Sequence, residues 1–443
     1  MALTLRPAWL NRDLTLLFTA RGLRSLTQGY LAVIVPLYLA LLGYNAIQLG
    51  LLFTASSFAG ALIAGAVGFL ADTYGRRNLL ILLALMVSAG AVVFALTGTF
   101  WVLLVAAALS TLGRGGGAGT GGAWGPYYAA EQALIAEHVD DQHRTSAFGA
   151  ISFVGVLTGA IGSLIAVIPD LLHTTVQVSV IFGDRLIFGL TVLFGILMAV
   201  VVIPVQETRR DAPPVKSVEK SARVPLSSDT WNLILKFMAT NASNGLALGF
   251  LGPITVYWFY RRYGVGASEL GALFFIVNIA AAPTYLYAAE FARKVGAVNT
   301  IVFTRLASVF FLALIPLMPT YWLASVFFVL RMVFNTLAIP VRQSYLMGIV
   351  RREERATAAG ISNLPTQITG SLGPTIGGYM MQSVSLDLPI ELAAAFQFIN
   401  ALLYYAFFRG IKPPEEQGAR APKAPGAEQT ADLPAGQTDA SRP

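Results

Sequence analysis

The sequence predicts an all-α membrane protein with twelve transmembrane helices in two six-helix halves. Composition is the first reason: of 443 residues, 56% are hydrophobic and only 12% are charged, and the mean hydropathy is +0.66. Soluble domains carry about 25% charged residues, so an ordinary soluble protein is excluded. The second reason is a series of long apolar runs. The third is an internal repeat that relates the two halves of the chain.

Twelve apolar runs are long enough to cross a bilayer, which takes about 20 mostly apolar residues. Charge clusters or Gly and Pro turns separate them. The first thirteen residues are not a signal peptide, because the apolar stretch after them is too long and has no small-residue cleavage site. The predicted spans are residues 14–41, 47–70, 79–97, 100–129, 146–168, 185–205, 230–259, 268–291, 298–317, 321–349, 358–382 and 391–409.

The distribution of Lys and Arg predicts the topology. Twenty of the 30 basic residues fall on the same side as the N-terminus, three fall in the loops on the other side (Arg185, Arg261, Arg262), and seven fall inside spans. This bias predicts a cell-membrane protein with both termini in the cytoplasm. It also accounts for the net charge of +7 as a topology signal, so we expect no nucleic-acid partner.

A polar, charged segment at residues 206–228 divides the spans six and six. We therefore expect an N-terminal half at 1–205, a cytoplasmic linker at 206–228 and a C-terminal half at 229–411. Residues 412–443 are rich in Pro, Ala, Gln and charge, which predicts a disordered cytoplasmic tail.

The two halves repeat. Residues 42–54 match residues 263–275 at an offset of 221, and the region after span 4 matches the region after span 10 at an offset of 211. Two six-span halves related by a parallel repeat are typical of transporters, whose substrate site lies near the midplane between the halves.

The sequence offers little to a metal, a cofactor or an enzyme. It has no cysteine, and its three histidines are not spaced i, i+4, so a zinc site is not expected. It has no G-x-x-x-x-G-K nucleotide loop. An intramembrane enzyme needs paired acids or a Ser/Lys or Ser/His arrangement at depth, and a receptor or scaffold needs an added soluble domain. Neither feature is evident.

The loop between spans 2 and 3, GFLADTYGRR at residues 68–77, resembles the signature loop of the major facilitator superfamily, Gly-x-Leu-Ala-Asp-Arg-x-Gly-Arg-Lys. Thr73 departs from that pattern. The resemblance covers about residues 1–411 and implies the fold of that family, transport by alternating access, and a monomer. It also implies that this loop latches the outward-facing state, which makes its residues a conformational gate: Gly68, Asp72, Gly75, Arg76 and Arg77.

Pro126-x-Tyr128-x-x-Glu131, at the end of span 4, is similar to a stretch of sugar porters whose Glu pairs with basic residues of that loop. The repeat partner of Glu131 is Arg342, and Glu290 ends span 8. We expect Glu290 to pair with Arg342 as a sign-inverted copy, so that both acids are structural parts of the gate.

Seven basic residues fall inside spans, where each costs about 2.5–3.5 kcal/mol on insertion scales. Four sit deep, on spans 1, 4 and 10, and the resemblance implies that spans 1, 4, 7 and 10 line a central cavity. For Lys236 and Arg305, near span ends, we expect side chains that reach the membrane surface. The predicted substrate-binding residues are Arg21, Arg24, Gln28, Arg114, Asn241, Asn244, Arg331 and Asn335.

Two functions follow as hypotheses. Few acids lie at that depth, so the arginines suit a small organic or inorganic anion bound bidentately. The alternative is a proton-coupled exporter of drug-like or amphipathic compounds, favoured by Gly373-Pro374-x-x-Gly377-Gly378, which resembles an element that drug/proton antiporters place in span 5. The expected partners are a small-molecule substrate, a coupling proton in the second case, and the lipid bilayer.

Overall fold

The computed structural model describes residues 10–110, 112, 125–139, 143–207, 227–350 and 354–411, and these are almost entirely helical. A short 3₁₀ turn, Ile315–Leu317, follows the twelfth helix. The α-helices are α1 Arg12–Leu41, α2 Ala46–Tyr74, α3 Arg76–Leu96, α4 Phe100–Ser110, α5 Gly125–His138, α6 Arg144–Ile165, α7 Ile168–Val176, α8 Val180–Val202, α9 Ser228–Leu251, α10 Ile254–Tyr263, α11 Ala267–Val295, α12 Ala297–Leu314, α13 Tyr321–Ile349, α14 Arg355–Ser383 and α15 Leu388–Phe408.

Each predicted span contains helix among the described residues, which agrees with twelve spans in two halves. Eight helical segments among the described residues are long and apolar enough to cross a membrane. The other four predicted spans correspond to α1, to α4 with α5, to α9 and to α14. Of these, α1 and α9 carry several of the predicted substrate-binding residues, and these polar side chains lower the apolarity of both helices.

The signature segment 68–77 is mostly helix rather than loop, which corrects its predicted form. Helix α2 runs on to Tyr74 and α3 begins at Arg76, so the whole turn is Gly75, whose φ is +84°. Gly296, 221 residues later, joins α11 to α12 with φ +91°. Only glycine adopts this region readily, so the repeat extends to the backbone of both turns.

Three further boundaries differ from the prediction. Helix α8 begins at Val180, five residues before the predicted span at 185, so Asp184 and Arg185 are helical. The predicted span 230–259 is broken at Gly252–Pro253 into α9 and α10, because proline lacks the N–H that would continue the helix. Residues 168–176, predicted as a loop, form α7, with Pro169 in its first turn.

Helices of the two halves pack in matching ways. Helix α1 packs against α6 in the first half, and α9 packs against α14 in the second. A Cβ on Gly29 would overlap the backbone of Gly159, and a Cβ on Gly249 would lie 2.7 Å from the carbonyl oxygen of Gly370. Gly159 and Gly370 are repeat partners, so these crossings correspond. Arg21 and Arg24 on α1 therefore correspond to Asn241 and Asn244 on α9.

The halves meet along two helix pairs, α2 with α14 and α6 with α11. We name the end of the bundle at which α1 begins the terminal end and the other the opposite end. Close approaches between the halves lie at the opposite end, where a Cβ on Gly50 would overlap the carbonyl of Pro374 and one on Gly378 that of Ala46.

Replacing Gly373 by alanine is expected to destabilise the protein by about 1–3 kcal/mol, because a new Cβ would overlap the backbone of Gly249. Gly360→Ala on the same helix is the control, since nothing lies within 4 Å of a Cβ there and alanine favours helix. The midpoint of thermal unfolding in detergent measures both. Equal shifts for the two variants would contradict the tight crossing.

Candidate functional site

Arg21 forms a buried ion pair rather than a free substrate contact. Its Nη1 lies 3.0 Å from Oε2 of Glu131, and both side chains are 1% exposed. The guanidinium also lies over the ring of Tyr128, 5.2 Å from its centroid. The expectation that few acids lie near the deep arginines is therefore wrong at Arg21. The expected partner of Glu131, a basic residue of the signature loop, is replaced by this arginine of α1, because α5 lies against α1.

Arg24, one turn further along α1, is 6% exposed, and its guanidinium lies 4.9 Å from the ring centroid of Tyr127 on α5. A cation over an aromatic face keeps its N–H edge available to other acceptors. Gln28 is half-buried on the same helix, and its Oε1 forms no hydrogen bond within the described ranges. Arg114 lies outside the described residues.

Arg331 is the buried arginine of α13. It is 4% exposed, and its guanidinium contacts Sδ of Met332 at 3.1 Å and the ring of Phe328 at 5.7 Å. Among the described residues it forms no ion pair, and its Nε has no acceptor. Arg331 is a predicted substrate-binding residue, and its contacts among the described residues are with uncharged groups.

Asn335 accepts a hydrogen bond from Nη1 of Arg305 at 2.9 Å. Arg305 is 4% exposed, so the expectation that its side chain reaches the membrane surface is wrong. The reason is its position: residue 305 is the ninth of the eighteen in α12, and α12 packs against α13 and α15. Arg305 is a buried cation that sequence reasoning discounted.

The two predicted site asparagines of α9 differ in their hydrogen bonds. Asn241 donates from Nδ2 to the carbonyl oxygen of Ser362 on α14 at 2.7 Å, so its amide joins two helices of one half. Asn244 is 3% exposed, and its Oδ1 forms no hydrogen bond in the part of the chain described. Of the pair, Asn244 has the free polar atom that a substrate contact requires.

The predicted gate lies at the terminal end, around the Gly75 turn. The backbone N–H of Arg76 donates to Oε1 of Glu207 at 2.6 Å, and the Arg76 side chain pairs with Glu137. Sequence reasoning missed both acids. Glu207 lies at the start of α3, where a carboxylate is favoured by the free N–H groups of the helix. Arg77 is half-buried beside them.

The side chain of Asp72 lies outside the described residues, as does that of residue 68. The expected pair between Glu290 and Arg342 is wrong. Glu290 pairs instead with Arg293 and Lys294, three and four residues along α11, where side chains on one helix face meet. Arg342 is half-buried and forms no ion pair among the residues described.

Hydrogen bonds join the halves at the opposite end. Oδ2 of Asp170 on α7 accepts from the backbone N–H and the hydroxyl of Ser268 on α11, both at 2.8 Å. The hydroxyls of Thr54 on α2 and Thr375 on α14 lie 2.7 Å apart. We call the first contact the Asp170 latch. Its residues lie in predicted loops or at predicted span ends, where no sequence pattern singles them out.

These features define a multi-pass helical membrane protein of two repeated halves, with buried cations between helices and a hydrogen-bonded seal at one end. That is the architecture of a secondary transporter. Within the described ranges, no three His, Asp or Glu side chains come together as metal ligands.

The chain belongs to the Major Facilitator Superfamily, whose sequence profile matches it twice, at residues 17–241 and 237–436. The family identifies a transporter rather than an enzyme. An uncharacterised membrane protein of Saccharomyces cerevisiae is 24% identical over 90% of this chain and 95% of its own length. The multidrug resistance protein MdtG of Proteus mirabilis is 23% identical over 85% and 90%. In fold, the chain resembles the inward-open xylose transporter XylE of E. coli, with TM-score 0.69, 13% identity and coverage of 92% and 99%.

Glu131→Gln is expected to destabilise the protein by about 3–5 kcal/mol, because it leaves the buried Arg21 cation without its carboxylate. The double variant Arg21→Met, Glu131→Leu is expected to recover most of that loss, since it removes both charges. Thermal unfolding of Arg21→Met, Glu131→Leu and the double variant gives the coupling.

Glu290→Gln serves as the control, because its ion pairs are exposed and worth at most about 1 kcal/mol. A loss at Glu131 no larger than the loss at Glu290 would contradict a buried, coupled pair.

Asp170→Ala is expected to open the opposite end more often, since a hydrogen bond to a charged group contributes about 1.5–3 kcal/mol, which corresponds to about a ten- to hundredfold change in population. The chain has no cysteine, so a single Thr54→Cys substitution reports access to this end by its labelling rate with a thiol reagent. Asp387→Ala is the matched control, because Asp387 bonds to Trp258 within one half. Labelling unchanged by Asp170→Ala would rule the latch out.

Proposed function

We propose that this protein moves a small organic or inorganic anion across the membrane by alternating access, through a central cavity to which Arg24 and Arg331 contribute. The observation that carries the proposal is Arg331, a nearly fully buried guanidinium that forms no ion pair among the described residues and has an unused Nε. Arg24 belongs to the other half of the chain, so each half contributes one cation.

Energetics favour an anionic ligand. A buried charge without compensation costs several kcal/mol, and an anion between two guanidinium groups offsets that cost. The planar guanidinium offers two parallel N–H donors, which match carboxylate, phosphate or sulfate oxygens. Arg331 already contacts the uncharged Met332 and Phe328, and neither supplies a charge to oppose its own.

The structure refines the substrate-binding set. Arg21 and Asn241 leave it, because each is already engaged, with Glu131 and with Ser362. Arg24, Gln28, Asn244 and Arg331 stay, and Arg114 stays on the strength of its sequence position. Asn335 is also engaged, because its Oδ1 accepts a hydrogen bond from the Arg305 guanidinium.

Alternating access follows from where the halves touch. The Asp170 latch and the Thr54–Thr375 contact hold them together at the opposite end, so solute exchange in this conformation takes place at the terminal end. The distribution of Lys and Arg supports a cytoplasmic position for the terminal end, a cell-membrane location and cytoplasmic termini. The Gly75 turn, with Arg76 and Glu207, forms the gate at that end.

A second function, proton-coupled export of drug-like compounds, has two observations in its favour. One is the similarity to the multidrug resistance protein MdtG. The other is Asp184, which is 1% exposed, with no hydrogen bond to its Oδ2 among the described residues. It lies within electrostatic range of the latch residue Asp170. A carboxyl group so placed is a candidate proton carrier that sequence reasoning did not identify.

Anions are expected to raise the unfolding midpoint of the purified protein and to drive counterflow in proteoliposomes, and Arg331→Gln or Arg24→Ala is expected to reduce both at least tenfold in apparent affinity. The panel sets carboxylates, phosphates and sulfates against lipophilic cations and neutral sugars. Arg293→Gln, at an exposed arginine of the same half as Arg331, is the control.

Response to lipophilic cations alone, unchanged by either cavity variant, would overturn the anion proposal. Flux of those cations that follows a pH gradient and is lost in Asp184→Asn would establish the exporter in its place.

A further inference from the structure

A second group of buried donors lies inside the C-terminal half, within electrostatic range of Arg331. It is centred on Arg305 of α12, which is within electrostatic range of Arg342 on α13 and Tyr404 on α15. Ser308 lies three residues after Arg305, on the same face of α12. We name Arg305, Ser308, Arg342 and Tyr404 the C-half donor cluster.

The cluster has unused donors. Arg305, Ser308 and Tyr404 are 4%, 0% and 1% exposed. Nε of Arg305, the Ser308 hydroxyl and the Tyr404 hydroxyl form no hydrogen bond among the described residues. A buried donor without an acceptor costs about 1–3 kcal/mol, so three such groups at one place need an explanation.

The cluster also has uncompensated charge. Ion pairs within the described part of this half join Arg262 to Asp387 and Glu290 to its two neighbours on α11, and none reaches Arg305 or Arg342. In the first half, a buried arginine is instead neutralised by a carboxylate of the protein. There, the position equivalent to Arg342 is Glu131, which neutralises Arg21. In the second half, the position equivalent to Arg21 is the neutral Asn241, so the charge of Arg342 has no internal counterpart.

We propose that the C-terminal half binds a small inorganic anion, a halide, sulfate or phosphate, between α12, α13 and α15, held by Arg305, Ser308 and Tyr404 with Arg342 close by. Two guanidinium cations together with two hydroxyls that can donate select an anion over a cation. The anion is a resident counter-ion and is distinct from the transported solute, so this site does not depend on the proposed function.

The experiment measures the unfolding midpoint of the full-length protein in sodium gluconate, replaced stepwise by chloride, sulfate or phosphate at constant ionic strength. We expect a saturating rise for at least one of these anions, and the three arms identify which. Arg305→Gln is expected to abolish the rise. It is also expected to match or exceed the parent midpoint in gluconate, because it removes an uncompensated buried charge.

Two further variants locate the site. Tyr404→Phe removes only a hydroxyl and is expected to weaken the anion response severalfold, which keeps the test informative if Arg305→Gln fails to fold. Arg24→Gln weakens the proposed solute site in the other half, so the rise that remains in this variant is assigned to the C-half donor cluster. The exposed control Arg293→Gln is expected to keep the full response.

Three outcomes overturn the proposal: no anion raises the midpoint above gluconate, Arg305→Gln and Tyr404→Phe both keep the full response, or Arg24→Gln abolishes it. The last outcome places anion binding in the central cavity and supports the transport proposal instead. Equilibrium binding of radiolabelled sulfate or chloride gives an independent reading, with one anion per chain fewer expected for Arg305→Gln than for the parent.

Discussion

A guanidinium group buried among helices must be matched by a carboxylate or by an anion, and the interior of this protein is organised around that requirement. Arg21 meets it with Glu131 at 3.0 Å. Arg305 meets it in part with the amide oxygen of Asn335. Arg331 contacts a thioether and an aromatic ring and forms no ion pair in the described part of the chain. Because desolvation costs several kcal/mol per ion, positions that lack a carboxylate are where ligands are expected.

The repeat makes this distribution asymmetric. The two halves share glycine turns and the close crossing of their first helix with their fifth, so their backbones correspond. Their charges do not correspond: the Arg21–Glu131 ion pair of one half is replaced in the other by Asn241 and by Arg342, which forms no ion pair among the described residues. The duplicated backbone therefore carries different charges at equivalent positions.

The helices and their order are predictable, because transmembrane spans can be recognised by their length and apolarity. The Gly75 turn is predictable because few residues other than glycine adopt its φ. Pairing was less predictable. Repeat symmetry predicts a pair between Glu290 and Arg342, whereas Glu290 pairs with Arg293 and Lys294 of its own helix, α11. For Arg305 the sequence predicts a side chain that reaches the membrane surface. The position of a residue in its span indicates depth, but it does not indicate which face of the helix packs against α13. The latch joins residues 98 positions apart, a separation no local pattern encodes.

Contacts within a half and contacts between halves differ in kind, and alternating access requires that difference. Within a half, backbones touch through Gly29 and Gly249, and in the first half a buried ion pair adds to the packing. Between the halves, the seal at the opposite end combines glycine contacts with a few hydrogen bonds such as the Asp170 latch. Each such bond is worth about 0.5–3 kcal/mol, small enough for a bound solute to tip the balance. Stability therefore resides inside the halves, and the interface between them remains adjustable.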